Sequence, residues 1–113
     1  MCNQRVLNEI TSKIVNAARE RLGDKLDKVI LYGSYARGDY NEESDVDIMV
    51  LADVCTEEKL RIETELWHFG WDLGYEYDVV VAVFLKDCET FYRFLPAEPF
   101  YQNVMRDGVL LSA

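Results

Sequence analysis

The sequence predicts an α/β (α+β) protein, in which helices pack on a small mixed β-sheet in the order α-β-β-α-β-α. Three observations predict this class. An apolar stripe at helical spacing opens the chain, short β-rich runs follow at 28–32, 45–51 and 77–85, and a second long helix precedes the last run. Half of the 113 residues are hydrophobic, which is enough for a core at this length.

Both long helices are predicted from apolar residues spaced three and four apart. The stripe of the first consists of Leu7, Ile10, Ile14, Ala18 and Leu22, and Gly23 then ends the helix. For the second we expect Thr56 as N-cap, Glu57 and Glu58 in the first turn, and an end at Gly74. Its stripe is Ile62, Leu66, Phe69 and Leu73.

Three strands are predicted, and alternation decides which side chains of the second share a face. Lys28–Tyr32 ends at Gly33, and in Asp45–Leu51 one face carries Val46, Ile48 and Val50 while the other carries Asp45, Asp47 and Met49. The run 77–85 is almost continuously apolar, which predicts a central strand covered on both faces, with Asp78 near its start.

The segment after Lys86 predicts short helices around Phe91 and Phe100, interrupted by Pro96 and Pro99. Asp107 and Gly108 predict a turn, and 109–111 a last edge strand.

Charge and composition limit the function. The net charge of −9 argues against strong nucleic-acid binding, because phosphate contacts need lysine and arginine, but it allows a nucleotide ligand and a basic protein partner. No apolar run reaches membrane-spanning length, and the N-terminus lacks a signal-peptide core. The scattered Cys2, Cys55 and Cys88 predict reduced thiols in a cytoplasmic protein without a zinc site.

The chemistry is concentrated in residues 33–50, GSYARGDYNEESDVDIMV. Gly33 and Ser34 directly follow a strand, so a helical turn that begins at Ser34 would direct free N–H groups and a hydroxyl at a phosphate. Arg37 either adds charge there or pairs with a nearby acid such as Asp39. The segment is not a P-loop, because its Lys-Ser/Thr pair is replaced by Asp39-Tyr40.

Asp45 and Asp47 are expected on one face of their strand, where two unscreened carboxylates repel and one pKa rises. A divalent cation removes this conflict, and Mg²⁺ favours one or two carboxylates together with substrate phosphates. Asp78 could supply a third carboxylate. An Asp-x-Asp pair by itself is most often a solvated strand face, so the prediction depends on the whole arrangement of turn, arginine and acids.

Gly33-Ser34, ten residues, and then Asp45 and Asp47 resemble the G-S-x10-D-x-D signature of the minimal nucleotidyltransferase (MNT) domain of the DNA polymerase β-like superfamily. The specific part is residues 31–50, while element order extends the resemblance over most of the chain. It implies that residues 1–113 form a single minimal nucleotidyltransferase domain, a small mixed sheet with helices on one side.

The resemblance also implies site roles. Asp45, Asp47 and Asp78 would be catalytic and would bind Mg²⁺, as two ions, with Mn²⁺ as a substitute. Gly33 and Ser34, with Arg37, would hold the triphosphate of ATP or another NTP. An acceptor hydroxyl would attack the α-phosphate and release pyrophosphate.

The likeness to MNT–HEPN toxin–antitoxin pairs implies AMP transfer to a tyrosine of a HEPN toxin. Two alternatives stay open: an antitoxin that acts by contact alone, and transfer to a small hydroxylated molecule such as an aminoglycoside. The abundance of aromatic residues predicts a partner or homodimer patch if some are exposed. His68, off the buried stripe, predicts a surface or packing role.

Overall fold

The computed structural model describes residues 3–113, so Cys2 lies outside the described residues. Helix α1 spans Gln4–Leu22, and the side chain of Asn3 caps it by accepting a hydrogen bond from the Val6 N–H at 2.9 Å. All five residues of the predicted stripe are buried, and Gly23 follows the helix with φ +53°. The prediction of the first helix and its end is therefore confirmed.

Four strands form one mixed sheet in the order β3-β2-β1-β4. Strand β1 (Leu26–Tyr32) pairs antiparallel with both β2 (Val46–Ala52) and β4 (Val109–Ser112), whereas β2 pairs parallel with β3 (Val81–Asp87). The predicted fold class and order are confirmed. The element outside the prediction is a 3-10 turn at Gly23–Lys25. The one-turn helix α2 (Ser34–Arg37) begins at the predicted residue, and β4 is one residue longer than the predicted edge strand.

Helices cover both faces of the sheet. Val46, Ile48 and Val50 of β2 pack into the larger core cluster, with α1 and α3 (Thr56–Tyr77). On the opposite face, Met49 and Leu51 pack against the two short helices α4 (Cys88–Phe94) and α5 (Pro99–Asp107). The predicted alternation along β2 is confirmed, but the one-sided arrangement of helices implied by the resemblance is wrong for this chain.

Two strand boundaries differ slightly from prediction. β1 begins two residues earlier than predicted, at Leu26. β2 begins at Val46, so Asp45 lies immediately before the strand, and β2 continues through Ala52. Asp45 is exposed there, while Asp47, inside the strand, is half-buried.

Helix α3 differs from prediction at both ends. Cys55, not Thr56, is the N-cap residue, and its side chain forms no capping hydrogen bond to the backbone. The helix passes through Gly74 and ends at Tyr77, because Asp78 adopts the left-handed conformation that terminates it (φ 57°, ψ 50°). Gly74 is buried inside the helix, where an added Cβ would clash with the carbonyl oxygen of Val79.

Strand β3 begins at Val81, four residues later than predicted, and lies at the edge of the sheet. The predictions of a central strand and of Asp78 within it are wrong. Continuous hydrophobicity misled because Val79 and Val80 belong to the connection from α3. Part of the open edge is closed by Glu63 of α3, whose Oε2 accepts a hydrogen bond from the Leu85 N–H at 3.1 Å.

The predicted short helices are present. Asp87 caps α4 by accepting hydrogen bonds from Thr90, and Phe91 is fully buried beneath the sheet. Pro99 starts α5, at the first helical position where a missing N–H costs nothing.

Within residues 3–113, none of the helices combines the length and apolar character needed to cross a membrane. Cys55 and Cys88 are free thiols, the first exposed and the second partly buried.

Candidate functional site

The turn between β1 and α2 has the geometry that the sequence predicts. Gly33 has φ +78° and ψ −158°, a backbone conformation that residues other than glycine rarely adopt. The N–H groups of Ala36 and Arg37 both donate to the Gly33 carbonyl at 3.1 Å, and Gly38, with φ +85°, closes the turn. The helical turn predicted to begin at Ser34 is therefore confirmed, and its first N–H has no acceptor inside the helix.

Asp47 lies directly against this turn. The antiparallel register pairs Asp47 with Tyr32, the residue before Gly33. A Cβ added at Gly33 would lie 2.5 Å from Asp47 Oδ2, so glycine leaves room for the carboxylate. The structure thus brings the predicted phosphate turn and one predicted metal ligand into contact.

These residues line a cavity of about 390 Å³, which we call the turn cavity. The sequence predicted four of its residues, Gly33, Ser34, Arg37 and Asp47. It missed the wall contributed by Tyr32 and by α5, which consists of Phe100, Asn103, Val104 and Asp107. No local signal could have found the α5 residues, because only the packing of α5 on the second sheet face brings them to the turn.

The electrostatics of the turn cavity centre on Asp47. Burial, and then the neighbouring negative charge of Asp45, raise the pKa of Asp47, while Arg37 opposes the rise. The sequence predicted a raised pKa from the adjacent carboxylate alone, whereas burial is the larger cause of the raised pKa of Asp47 and Asp45 the second. Arg37 forms an ion pair with Asp39, with Nε and Oδ2 3.1 Å apart, and also lines the cavity. Arg37 therefore pairs with an acid, as one alternative predicted, and also lines the cavity where the other alternative, phosphate binding, would take place.

Asp45 and Asp78 lie on another side of the site. Both line a second cleft of about 340 Å³, together with Glu42, Glu43, Trp71 and Tyr75. We call this the acidic–aromatic cleft. Asp78 is an exposed helix-terminating residue here, so the structure joins it with Asp45 rather than with Gly33 and Ser34.

Two of the three carboxylates fit the divalent cation that the resemblance implies. Asp45 and Asp47 are close enough for the charge of one to raise the pKa of the other, and glycine opens the space before Asp47. Two carboxylates beside a phosphate turn suit Mg²⁺. Among residues 3–113, no three acidic, histidine or cysteine side chains are grouped as a metal site, so a third ligand in the predicted position of Asp78 is not assembled.

A larger cavity, of about 500 Å³, lies between α1 and β4 and is lined by Asn8, Thr11, Asn16 and Arg19 among others. Its lining contains no carboxylate, and Arg19 donates a hydrogen bond to the Ser112 hydroxyl at 3.0 Å. Size alone therefore does not identify the reactive site. His68 is exposed on α3 and lines neither the turn cavity nor the acidic–aromatic cleft.

A mixed sheet with a glycine-serine turn after one strand and an Asp-x-Asp pair at the start of the next defines a nucleotidyltransferase. The nucleotidyltransferase domain model matches residues 11–107, and the chain belongs to that family. The resemblance drawn from residues 31–50 is thereby confirmed.

Individual relatives agree with this assignment. A Methanocaldococcus jannaschii protein named as a protein adenylyltransferase is 34% identical over 99 residues, covering 88% of this chain and 91% of that protein. A toxin–antitoxin structure with AMP-PNP matches with TM-score 0.56 and 23% identity, over 91% of this chain and 73% of the other. The MNT antitoxin complex with tri-AMPylated HEPN toxin from Shewanella oneidensis gives TM-score 0.51 and 21% identity, over 94% and 71%. The two structural likenesses show the shared fold.

Proposed function

We propose that this chain transfers AMP from ATP to a tyrosine hydroxyl of a HEPN-type toxin and so acts as its antitoxin. We further propose that residues 1–113 make up one minimal nucleotidyltransferase domain. Support comes from the 34% identical protein named as a protein adenylyltransferase and from the folds of toxin–antitoxin complexes, one with AMP-PNP and one with an AMPylated toxin.

The observation that carries the proposal is the contact between the phosphate turn and Asp47, the residue of the acid pair that lies against Gly33. Gly33 accommodates the Asp47 carboxylate, and Ser34 and Arg37 line the same cavity. Glycine lets phosphate oxygens approach the backbone, while the Ser34 N–H and hydroxyl can donate to them. Arg37 adds positive charge on that side of the cavity.

Asp45, Asp47 and Asp78 are the proposed metal ligands; Asp78, which lines the acidic–aromatic cleft with Asp45, would join Asp47 only if metal binding draws it toward the turn cavity. When bound, the metal would neutralise phosphate charge and lower the pKa of the acceptor hydroxyl. The protein itself contributes mainly position: the turn would hold the triphosphate, and the carboxylates would hold the cation beside the phosphate that the hydroxyl attacks.

The test uses ATP labelled at the α- or the γ-phosphate, Mg²⁺, and the protein encoded by the neighbouring gene. AMP transfer predicts that only the α-label appears on the partner, at tyrosine, with release of pyrophosphate. Asp45→Asn with Asp47→Asn should abolish labelling, while Asp72→Asn, an exposed acid of α3, should leave it intact. Labelling from the γ-phosphate, or none with any NTP, would overturn the proposal.

A second candidate, inhibition by contact alone, is favoured by one observation. Among the described residues no group of three metal-ligating side chains is assembled. The double variant Asp45→Asn with Asp47→Asn also separates the two candidates. Toxin inhibition that survives this change supports contact, whereas loss of inhibition together with loss of labelling supports transfer.

A further inference from the structure

The acidic–aromatic cleft adds to Asp45 and Asp78 further acidic and aromatic side chains that have no part in the proposed nucleotide transfer. Four carboxylates line it, those of Glu42, Glu43, Asp45 and Asp78. Within residues 3–113 none of the four takes part in an ion pair, although acids elsewhere on the chain pair with lysine or arginine. Among the described residues the cleft therefore presents negative charge that no lysine or arginine pairs with.

Two large aromatic side chains of the cleft are open to solvent. Trp71 is 52% exposed and Tyr75 94% exposed, and they stand four residues apart on α3, on one face of the helix. Val80, which is 44% exposed, adds apolar surface beside them. Exposed aromatic side chains that are grouped beside unpaired acids are typical of a surface that binds a partner.

The acidic wall is held in place before any partner arrives. Asn41 Oδ1 accepts a hydrogen bond from the Glu43 N–H at 2.8 Å, and the Ser44 hydroxyl accepts one from the Asn41 N–H at 2.9 Å. The Val46 N–H donates to the Val80 carbonyl at 2.8 Å, which ties the loop wall to the wall that follows α3. A preformed cleft loses little entropy when a partner binds.

These features fit a guanidinium group. Its plane stacks on an aromatic face such as that of Trp71, and its N–H donors pair with carboxylates in a fork. Since Asp45 belongs to both the cleft and the candidate metal-binding pair, a group bound in the cleft lies next to the reacting centre. The net charge of −9 further favours a cationic partner.

We propose that the acidic–aromatic cleft binds an arginine of a protein acceptor, beside the hydroxyl that receives the nucleotide. This inference rests on the proposed function, because it assigns the cleft to the acceptor of that reaction. It names Trp71, Tyr75, Glu42 and Glu43 as acceptor-binding residues.

The test measures peptide binding without ATP or metal, so that it does not depend on transfer. The probes are a peptide with one tyrosine between two arginines and the same peptide with glutamines in place of the arginines. Binding is followed by NMR through the indole N–H of Trp71 at low ionic strength. The arginine peptide should bind about ten-fold more tightly, a difference expected for one charged, stacked contact.

Matched variants locate the contact. Trp71→Ala should remove the preference for arginine, followed through backbone amides of α3, whereas Phe94→Ala should keep it, since Phe94 is 50% exposed outside the cleft. Glu42→Gln with Glu43→Gln should weaken binding of the arginine peptide. Glu20→Gln with Glu89→Gln removes the same amount of charge from exposed positions outside the cleft. This control should bind the arginine peptide as tightly as the native chain does.

Equal binding of both peptides, no binding of the arginine peptide, or unchanged binding by Trp71→Ala would overturn the cleft proposal. Binding of an aminoglycoside in the cleft without the arginine peptide would overturn it as well, in favour of a small-molecule acceptor. If the peptide preference holds but the α-label never reaches a partner, the proposed transfer fails while the cleft remains a binding site.

Discussion

At the residue scale, the site depends on Gly33, which must be glycine for two physical reasons. The backbone there has a positive φ, and the Asp47 carboxylate occupies the space that a side chain would need. Gly38 shares only the first reason, because an added Cβ there would have nothing within 4 Å. The two glycines of the same turn therefore form a natural pair of variant and control.

Gly33→Ala should destabilise the fold by roughly 1–3 kcal/mol from backbone strain alone and should displace Asp47. Gly38→Ala should cost about 1–2 kcal/mol without disturbing Asp47. Urea unfolding measures both costs, and thermal shift with ATP and Mg²⁺ measures the site. The rise in melting temperature with ATP and Mg²⁺ should be lost with Gly33→Ala and kept with Gly38→Ala. The reverse result would contradict the placement of Asp47 against Gly33.

Asp47→Asn should stabilise the metal-free protein at pH 7 while it abolishes transfer. Burial and Asp45 raise the pKa of Asp47, so the folded state holds this proton more tightly than the unfolded chain. Stability is consequently lost as the pH rises from the ordinary carboxyl value of 3.8 through the raised pKa, and the neutral amide avoids that loss.

Chemical unfolding at pH 7, and again below pH 3.8, measures whether Asp47→Asn raises or lowers the free energy of unfolding. The variant should gain stability over the native chain at the higher pH, and the gain should shrink at the lower one. Asp72→Asn, an exposed change on α3, is the matched control. A native chain that is more stable than Asp47→Asn in metal-free buffer at pH 7 would contradict the stated cause.

At the element scale, the sequence predicted helix cores well and the end of α3 poorly. The stripe of α1 was predictable because 3.6-residue periodicity fixes which face is buried. Gly74 looked like a helix end, but it serves close packing against Val79, and Asp78 takes the left-handed position instead. Asp tolerates that conformation without a distinctive sequence signal, so the later start of β3 could not be predicted.

Asp78→Asn separates the structural role of this residue from its proposed catalytic role. Asn also adopts the left-handed conformation readily, so the free energy of unfolding should change by less than about 0.5 kcal/mol. AMP transfer should fall about ten-fold or more if the carboxylate assists the reaction, an effect measured by α-label on the partner. Unchanged transfer would restrict Asp78 to ending α3.

At the scale of the whole molecule, the site is built from segments that are distant in the sequence. Residues 31–50 carry a local signature, which is why the turn, Arg37 and the two acids were predictable. The α5 wall of the turn cavity and the aromatic wall of the acidic–aromatic cleft were not, because they arise from helices packed on both sides of one sheet. Periodicity identifies a buried face but not which neighbour covers it.

The most direct measurement maps where a non-hydrolysable ATP analogue binds, by NMR of backbone amides in the presence of Mg²⁺. We expect the largest shifts at Gly33, Ser34 and Asp47 and smaller ones at Phe100 and Asn103 across the turn cavity. The double variant Asp45→Asn with Asp47→Asn should lose these shifts. Shifts confined to the cavity between α1 and β4, around Asn8 and Arg19, would contradict this placement of the nucleotide.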